Sequence, residues 1–97
     1  MPETASVRRK RLHHRSRYRS FLENDLVFGR FAQMYLDTLG PNDLGRYEAL
    51  LAEGDHDLFA WISGREPVPA IHDNHVFSLL RRIRIALGRA EDPVSQP

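Results

Sequence analysis

Ionisable and hydroxyl side chains are concentrated in residues 15–25, which read Arg-Ser-Arg-Tyr-Arg-Ser-Phe-Leu-Glu-Asn-Asp and are termed the junction segment. This segment joins a basic N-terminus to an acidic middle. Seven of the fourteen Lys and Arg residues lie in positions 1–20, whereas positions 23–73 hold ten acids and three arginines. Guanidinium groups bind carboxylates and phosphates. The distribution therefore predicts either contact with a charged partner or pairing between the ends of the chain and its middle.

Within the junction segment, Ser20 and Glu23 fit the Ser-x-x-Glu pattern of a capping box. In that arrangement the serine hydroxyl accepts a backbone N–H three residues later, and the glutamate carboxylate accepts the N–H of the serine. The pattern predicts that Ser20 caps a helix running to about Thr38. An alternative interpretation is that the Glu23 charge faces a partner protein.

Other constellations that support catalysis or cofactor binding are missing from the sequence. The glycines stand alone and form no phosphate-binding loop, and there is no cysteine to serve as nucleophile or zinc ligand. His72 and His75 lack a third converging ligand, so we expect a solvated or capping role for them. Asp55 and Asp57 are expected to stabilise the N-terminus of a short helix. The sequence predicts no catalytic site, no metal site and no tightly bound cofactor.

The length and composition are those of one small globular domain. Ninety-seven residues, 41% hydrophobic and 28% charged, are enough for a thin core. No apolar run approaches the ~20 residues that a membrane helix needs, and the N-terminus lacks the apolar region of a secretory signal. The arginine-rich N-terminus has some character of a mitochondrial transit peptide, but it continues into an apparent helix without a spacer. We therefore expect a bacterial-type cytoplasmic protein.

Helical spacing of apolar residues, with Gly and Pro as breakers, predicts an all-α fold. We expect a single five-helix bundle in residues 7–88, between flexible tails at 1–6 and 89–97. The expected helices cover about 7–18, 20–38, 41–52, 57–63 and 74–88. The predicted core includes Leu26, Phe31, Leu50, Leu58, Trp61, Leu80 and Ile83.

The basic N-terminal helix has two interpretations. Its arginines can bind the phosphates of a nucleic acid, and salt-sensitive retention of DNA would support this alternative. The acidic middle would repel nucleic acid, however, and the sequence has no helix-turn-helix pattern. The basic helix can equally lie over the acidic helices.

The junction segment and a second stretch together resemble the succinate dehydrogenase assembly factor 2 family. The first similarity includes Arg9-Lys10-Arg11-Leu12, Arg15-Ser16, residues 19–26 and Gly29-Arg30-Phe31. The family signature is Arg-Gly-x-x-Glu followed by x-Asp, to which Arg19, Glu23 and Asp25 correspond, with Ser20 in place of the glycine. Residues 57–67 resemble the Trp-bearing helix and Gly-Arg-Glu-Pro loop of the family, and the resemblance covers residues 8–85.

The resemblance implies a protein that is not an enzyme but binds a client, the flavoprotein subunit of succinate dehydrogenase or fumarate reductase. It implies that the protein promotes covalent attachment of FAD to a histidine of this client, and that FAD is the cofactor of the client. We expect a monomer that binds no nucleic acid and does not enter the membrane. The implied partner-binding residues are Arg15, Arg17, Arg19, Ser20, Glu23 and Asp25. Ser20 either obstructs a close approach that glycine allows or acts only as a helix cap.

Overall fold

The computed structural model describes residues 3–91, and this part of the chain contains five α-helices and no β-strand. The predicted all-α, five-helix fold is confirmed. The helices are α1 (Ala5–Arg15), α2 (Leu22–Tyr35), α3 (Pro41–Leu51), α4 (Asp55–Ile62) and α5 (His75–Glu91), with 3₁₀ turns at Leu36–Thr38 and Ala70–His72. The division into a domain and two tails stays a prediction, because residues 1–2 and 92–97 lie outside the described residues.

Glycine and proline mark helix ends where the sequence predicts them. Pro41 is the first residue of α3, where a backbone N–H has no partner within the helix and its absence costs little. Gly64 follows α4 with a φ of 81°, a left-handed conformation that glycine adopts without steric cost. These two residues separate α2 from α3 and α4 from the loop that leads to α5.

The outer ends of the bundle are more helical than predicted. α1 begins at Ala5 rather than Val7, because Thr4 acts as its N-cap and accepts the N–H of Val7 on Oγ1 at 3.1 Å. α5 continues through Gly88 to Glu91. A single glycine in an exposed helix costs only ~1 kcal/mol, which the surrounding turns can offset.

α2 is the central helix and packs against α1, α4 and α5. The Phe31 ring of α2 stacks on Tyr47 of α3, with ring centroids 4.6 Å apart. The largest fully buried side chains include Leu12, Phe28, Phe31, Leu36, Tyr47, Leu50, Leu51, Leu58, Ile62 and Leu80. Each of the five helices contributes to this core, which fixes the two ends of the junction segment.

Six of the seven residues predicted for the core are buried; they are Phe31, Leu50, Leu58, Trp61, Leu80 and Ile83. The prediction for Leu26 is wrong, because its side chain is 42% exposed. α2 carries apolar residues around most of its circumference, so their spacing does not identify the face that packs inward. The buried face contains Asn24, Val27, Phe28, Phe31 and Ala32.

Candidate functional site

The junction segment leaves α1 through a buried serine. The Ser16 hydroxyl donates to the carbonyl oxygen of Leu12 at 2.7 Å, and its oxygen lies 2.6 Å from the hydroxyl of Tyr47 on α3. Burial raises the pKa of Tyr47, so its hydroxyl keeps its proton and can donate to Ser16. The C-terminus of α1 is thereby fixed to α3.

Arg19 is directed into the protein rather than toward solvent. Its Nε donates to Oδ1 of Asp55 at 2.7 Å, and a terminal nitrogen donates to the carbonyl oxygen of Arg15 at 2.8 Å. The guanidinium carbon lies 5.6 Å from the centroid of the Phe28 ring. The side chain is only 11% exposed, so the signature arginine holds the junction segment against α4.

Asp55 receives the other hydrogen bonds that fix this loop. Its Oδ2 accepts the backbone N–H of Ser20 at 3.0 Å, and its Oδ1 also lies 3.3 Å from Nδ2 of Asn24. Burial alone would raise the pKa of the Asp55 carboxyl, but the hydrogen bonds from the Ser20 N–H and the Arg19 guanidinium outweigh it and lower that pKa.

Asp55 and Asp57 both lie in the first turn of α4, the position expected for carboxylates that stabilise a helix N-terminus, but Asp55 is not the N-cap. Asp55 is the first residue of α4, whose N-cap is Gly54, whereas the sequence predicted a helix from Asp57. The Asp55 carboxylate instead faces the junction segment and the start of α2, where Arg19, the Ser20 backbone N–H and Asn24 donate to it.

Asp25 holds the middle of the loop from the first turn of α2. Its Oδ1 accepts the backbone N–H of Tyr18 at 2.6 Å and that of Arg19 at 3.4 Å. Tyr18 has a φ of 59°, a conformation that costs a residue with a side chain about 1–2 kcal/mol. The hydrogen bonds to Asp25 support this conformation, which leaves the Tyr18 side chain 84% exposed.

The capping box predicted for Ser20 and Glu23 is wrong. The N-cap of α2 is Phe21, which makes no side-chain capping bond. The Phe21 ring instead packs edge-on against Phe59 of α4, with centroids 5.4 Å apart. Glu23 pairs with Arg84 of α5 at 2.5 Å, and both side chains remain about one-third exposed. Because Phe21 packs against α4, α2 begins at Leu22 rather than directly after Ser20.

The six predicted partner-binding residues therefore lie around one loop but differ in accessibility. Arg15, Arg17 and Ser20 are exposed, and Arg15 also donates to the carbonyl oxygen of Leu51 at 3.3 Å. Among the described residues, the Ser20 hydroxyl makes no hydrogen bond. The partly exposed Glu23 is paired with α5, and Arg19 and Asp25 act inside the loop. Their contact with a partner stays a prediction.

The residues predicted from the sequence for this site do not include three that build the loop, Asp55, Asn24 and Tyr18. Asn24 is 1% exposed and donates to the carbonyl oxygen of Asp55 at 2.9 Å. Its position three, four and seven residues before buried apolar residues was a usable signal, because a polar residue on a buried face needs a partner. No local signal predicts the left-handed backbone of Tyr18.

The basic α1 lies over acidic side chains, as one interpretation predicted. Glu48 of α3 accepts hydrogen bonds from Arg8 at 2.8 Å and Arg11 at 2.6 Å. These bonds lower the pKa of Glu48, with the bond to Arg11 as the largest cause. His13 lies 2.8 Å from Asp37. These contacts occupy charges that the nucleic-acid alternative would require.

The described residues, 3–91, also bear on metal binding and on membrane insertion. No group of three or more His, Cys, Asp or Glu side chains in this part of the chain is placed to hold a metal ion. The solvated or capping role expected for His72 is wrong, because its side chain is buried by the packing of Trp61 and its Nε2 lies 2.7 Å from Glu53. None of the described helices is long and apolar enough to cross a membrane.

The amino-acid sequence of this chain is similar to those of known proteins. Residues 10–84 match the model of a family described as flavinator of succinate dehydrogenase. The chain is 33% identical over 81 residues to mitochondrial succinate dehydrogenase assembly factor 2 of Danio rerio, covering 81% of this chain and 51% of that protein. It is 38% identical over 71 residues to the protein of that name from Meyerozyma guilliermondii (73% and 53% covered). It is 33% identical over 97 residues to mitochondrial succinate dehydrogenase assembly factor 2 of Culex quinquefasciatus, covering 98% of this chain and 60% of that protein.

The chain thus spans about half the length of the first two of these curated relatives. The predicted bacterial-type cytoplasmic location is wrong by this comparison, because the relatives are named as mitochondrial proteins and point to the mitochondrion. The family predicted from the sequence is confirmed by both the matched model and the relatives. This chain belongs to the flavinator of succinate dehydrogenase family, which includes the succinate dehydrogenase assembly factor 2 proteins.

Proposed function

We propose that this protein binds the flavoprotein subunit of succinate dehydrogenase and promotes covalent attachment of FAD to it, without catalysing a reaction itself. Fumarate reductase, whose flavoprotein subunit the resemblance also implies as a client, is a second candidate. The protein acts by holding the client in a conformation competent for attachment.

The observation that carries this proposal is a loop that is fixed internally and exposed externally, in a chain of this family. Asp25 and Asp55 together accept the backbone N–H groups of Tyr18, Arg19 and Ser20. A loop fixed before binding loses little conformational entropy when it meets a partner. Arg17 and Tyr18 are presented outward from it, and arginine and tyrosine are enriched at the energetic centres of protein interfaces.

In this proposal FAD belongs to the client. The sequence has no glycine-rich loop for a dinucleotide phosphate. The isolated chain is therefore expected to bind free FAD weakly or not at all. We also expect it to be a monomer.

The test is flavinylation in cells that lack the protein. The flavoprotein subunit should then accumulate with little covalent FAD, detected as loss of flavin fluorescence from its band on a denaturing gel. Expression of the wild-type chain should restore the fluorescence. Normal flavinylation in the deletion strain would overturn the proposal, as would tight stoichiometric FAD binding by the purified chain in calorimetry.

Two variants, Arg17→Gln and Ser20→Gly, test the surface within the same assay, and Arg46→Gln is the control. Arg17→Gln should reduce restoration, whereas Arg46→Gln, on the exposed side of α3, should not. Ser20 makes its contact through the backbone N–H, so Ser20→Gly removes no capping bond. Ser20→Gly should keep or improve client binding if the hydroxymethyl group obstructs a close approach.

A further inference from the structure

An open groove runs between α2 and α5, beginning beside the junction segment. Two adjoining depressions form it, and they share Arg30 and Leu87 in their walls. They measure about 400 and 390 Å³, within the ~300–1,000 Å³ range of protein binding pockets. We define the α2–α5 groove by Leu26, Met34, Ile83 and Leu87 in its floor and by Arg17, Arg30 and Arg82 at its edges.

Two apolar side chains in the floor of the groove, Leu26 and Met34, are exposed and lie outside the core. Leu26 is 42% exposed and Met34 is 50% exposed, although both lie on the central helix of the bundle. They stand eight residues apart on one side of α2, with Arg30 midway between them. Gly29 lies beside Leu26 in the depression next to the junction segment, and a Cβ added there would meet nothing within 4 Å.

The edges of the groove are basic. In the described part of the chain, Arg17, Arg30 and Arg82 form no ion pair, although many other arginines do. Asp25 is the carboxylate in the lining, and it is occupied by the backbone N–H groups of the junction segment. An apolar floor with cationic edges is complementary to apolar side chains flanked by carboxylates.

We propose that the α2–α5 groove binds an acidic, amphipathic α-helix of the client flavoprotein. Its apolar residues contact Leu26, Met34 and Leu87, and its flanking Asp or Glu residues pair with Arg17, Arg30 and Arg82. The inference rests on the proposed function for the identity of the client. It goes beyond that function by assigning a second contact surface and the chemistry of the segment recognised.

The geometry favours a helix over an extended strand. A strand that binds by augmentation pairs its backbone with a sheet edge, and residues 3–91 contain no sheet. A helix satisfies its own backbone groups and can lay an apolar face into the space between two packed helices. Leu26 and Met34 are about 12 Å apart along α2, or about two turns, at 1.5 Å per residue. The occupant therefore needs apolar residues at i, i+3 or i+4, and i+7.

A pair of glycine variants tests the groove. Gly29→Leu adds a side chain to the lining of the groove, and Gly88→Leu adds the same side chain to exposed α5 outside the groove; a Cβ at either position meets nothing within 4 Å. Binding to the purified flavoprotein subunit is measured by biolayer interferometry. We expect at least tenfold weaker binding for Gly29→Leu and wild-type binding for Gly88→Leu. Helical circular dichroism and melting of both variants check that the fold is kept.

Two further arms identify the chemistry of the occupant. Arg30→Glu and Arg82→Glu should each weaken binding several-fold, whereas Arg46→Glu should not. A benzophenone amino acid at Met34 should cross-link to the flavoprotein, and mass spectrometry of the product should identify an acidic, amphipathic helix.

Each outcome distinguishes this inference from the proposed function. If wild-type protein binds the flavoprotein and Gly29→Leu binds equally well, or if the cross-link reaches a basic or non-helical segment, the groove assignment is overturned and the proposed function stands. If wild-type protein does not bind the flavoprotein at all, the proposed function fails and the assignment fails with it. A dimer in light scattering that Gly29→Leu dissociates would assign the groove to a second copy of this chain and overturn the inference.

Discussion

Arg19 and Asp55 join the junction segment to the start of α4 through a bond of 2.7 Å, and their side chains are 11% and 17% exposed. Removing either partner would leave the other charge poorly solvated, which costs more than the loss of a surface ion pair. A residue that matches a binding signature can thus act mainly by fixing the loop that carries the exposed contacts.

Asp55→Asn should lower the free energy of unfolding at pH 7 by about 2–4 kcal/mol, because Arg19 loses its counter-ion. The folded-state pKa of Asp55 is lowered, so its stabilisation is complete above the ordinary value of 3.8 and is lost as the pH falls through the lower folded value. The difference between variant and wild type should therefore shrink in acid. Urea unfolding at pH 7 and near pH 3 measures both effects. Asp57→Asn, an exposed carboxyl on the same helix, is the control, and a variant at position 55 as stable as this control would refute the prediction.

The ion pair between Glu23 and Arg84 separates two roles of the signature glutamate. Both side chains are about one-third exposed, so Glu23→Gln and Arg84→Gln should each change stability by less than about 1 kcal/mol. If the Glu23 charge contacts the client, Glu23→Gln should reduce client binding and flavinylation, and Arg84→Gln should not. Equal losses in the two variants would instead assign Glu23 to positioning α5. Normal flavinylation by Glu23→Gln would remove both roles.

At the scale of elements, α1 depends on docking because its own sequence is highly charged. Leu12 is its fully buried side chain, and its polar contacts to α3 run from Arg8 and Arg11 to Glu48 and from Ser16 to Tyr47. An isolated helix of eleven residues is marginal in water, so most of the order of α1 comes from these contacts. α1 in turn fixes the first end of the junction segment.

Leu12→Ala should destabilise the protein by about 2–5 kcal/mol, the range for removing a buried leucine side chain. Hydrogen exchange should increase most strongly in α1 and the junction segment. Val7→Ala, at a position 54% exposed on the same helix, should leave exchange unchanged. Protection of α1 in the Leu12→Ala protein equal to that of wild type would show that the ionic contacts alone dock the helix.

At the scale of the whole molecule, one thin core supports both the loop and the groove. Trp61 is 8% exposed and lies against the His72 ring at 5.6 Å, which joins α4 to the segment before α5. The same core leaves one side of α2 facing solvent, where the α2–α5 groove forms. Stability and the proposed binding surfaces are therefore linked through α2, α4 and α5.

Trp61→Ala should cost about 3–5 kcal/mol, a large part of the ~5–15 kcal/mol that stabilises a typical domain. The variant should melt at much lower temperature when followed by far-UV circular dichroism, with a helical spectrum for the folded wild type. Ile71→Ala, at a position 78% exposed in the same region, should melt like wild type. Melting of Trp61→Ala at the wild-type temperature would contradict its place in the core.

The amino-acid sequence by itself determined the number and order of the helices and the family. Gly40-Pro41 and Gly64 act through local backbone chemistry, and apolar spacing identified most of the core, so these features needed no knowledge of the tertiary structure. The family followed because each of its two motifs is a contiguous stretch of the chain.

The tertiary structure decided which side of α2 is buried and which charges are paired. Leu26 was placed inside and Asn24 was overlooked because a helix apolar on most sides has no face that local spacing can select. The local pattern predicts a cap at Ser20, but the N-cap of α2 is Phe21, whose ring packs against Phe59. Phe59 is 38 residues away, so a local pattern cannot predict this contact. The partners of Arg19 and Glu23 are 36 and 61 residues away. Such pairings depend on how the helices pack. The charge pattern of the sequence predicts that opposite charges pair, but not which residues pair.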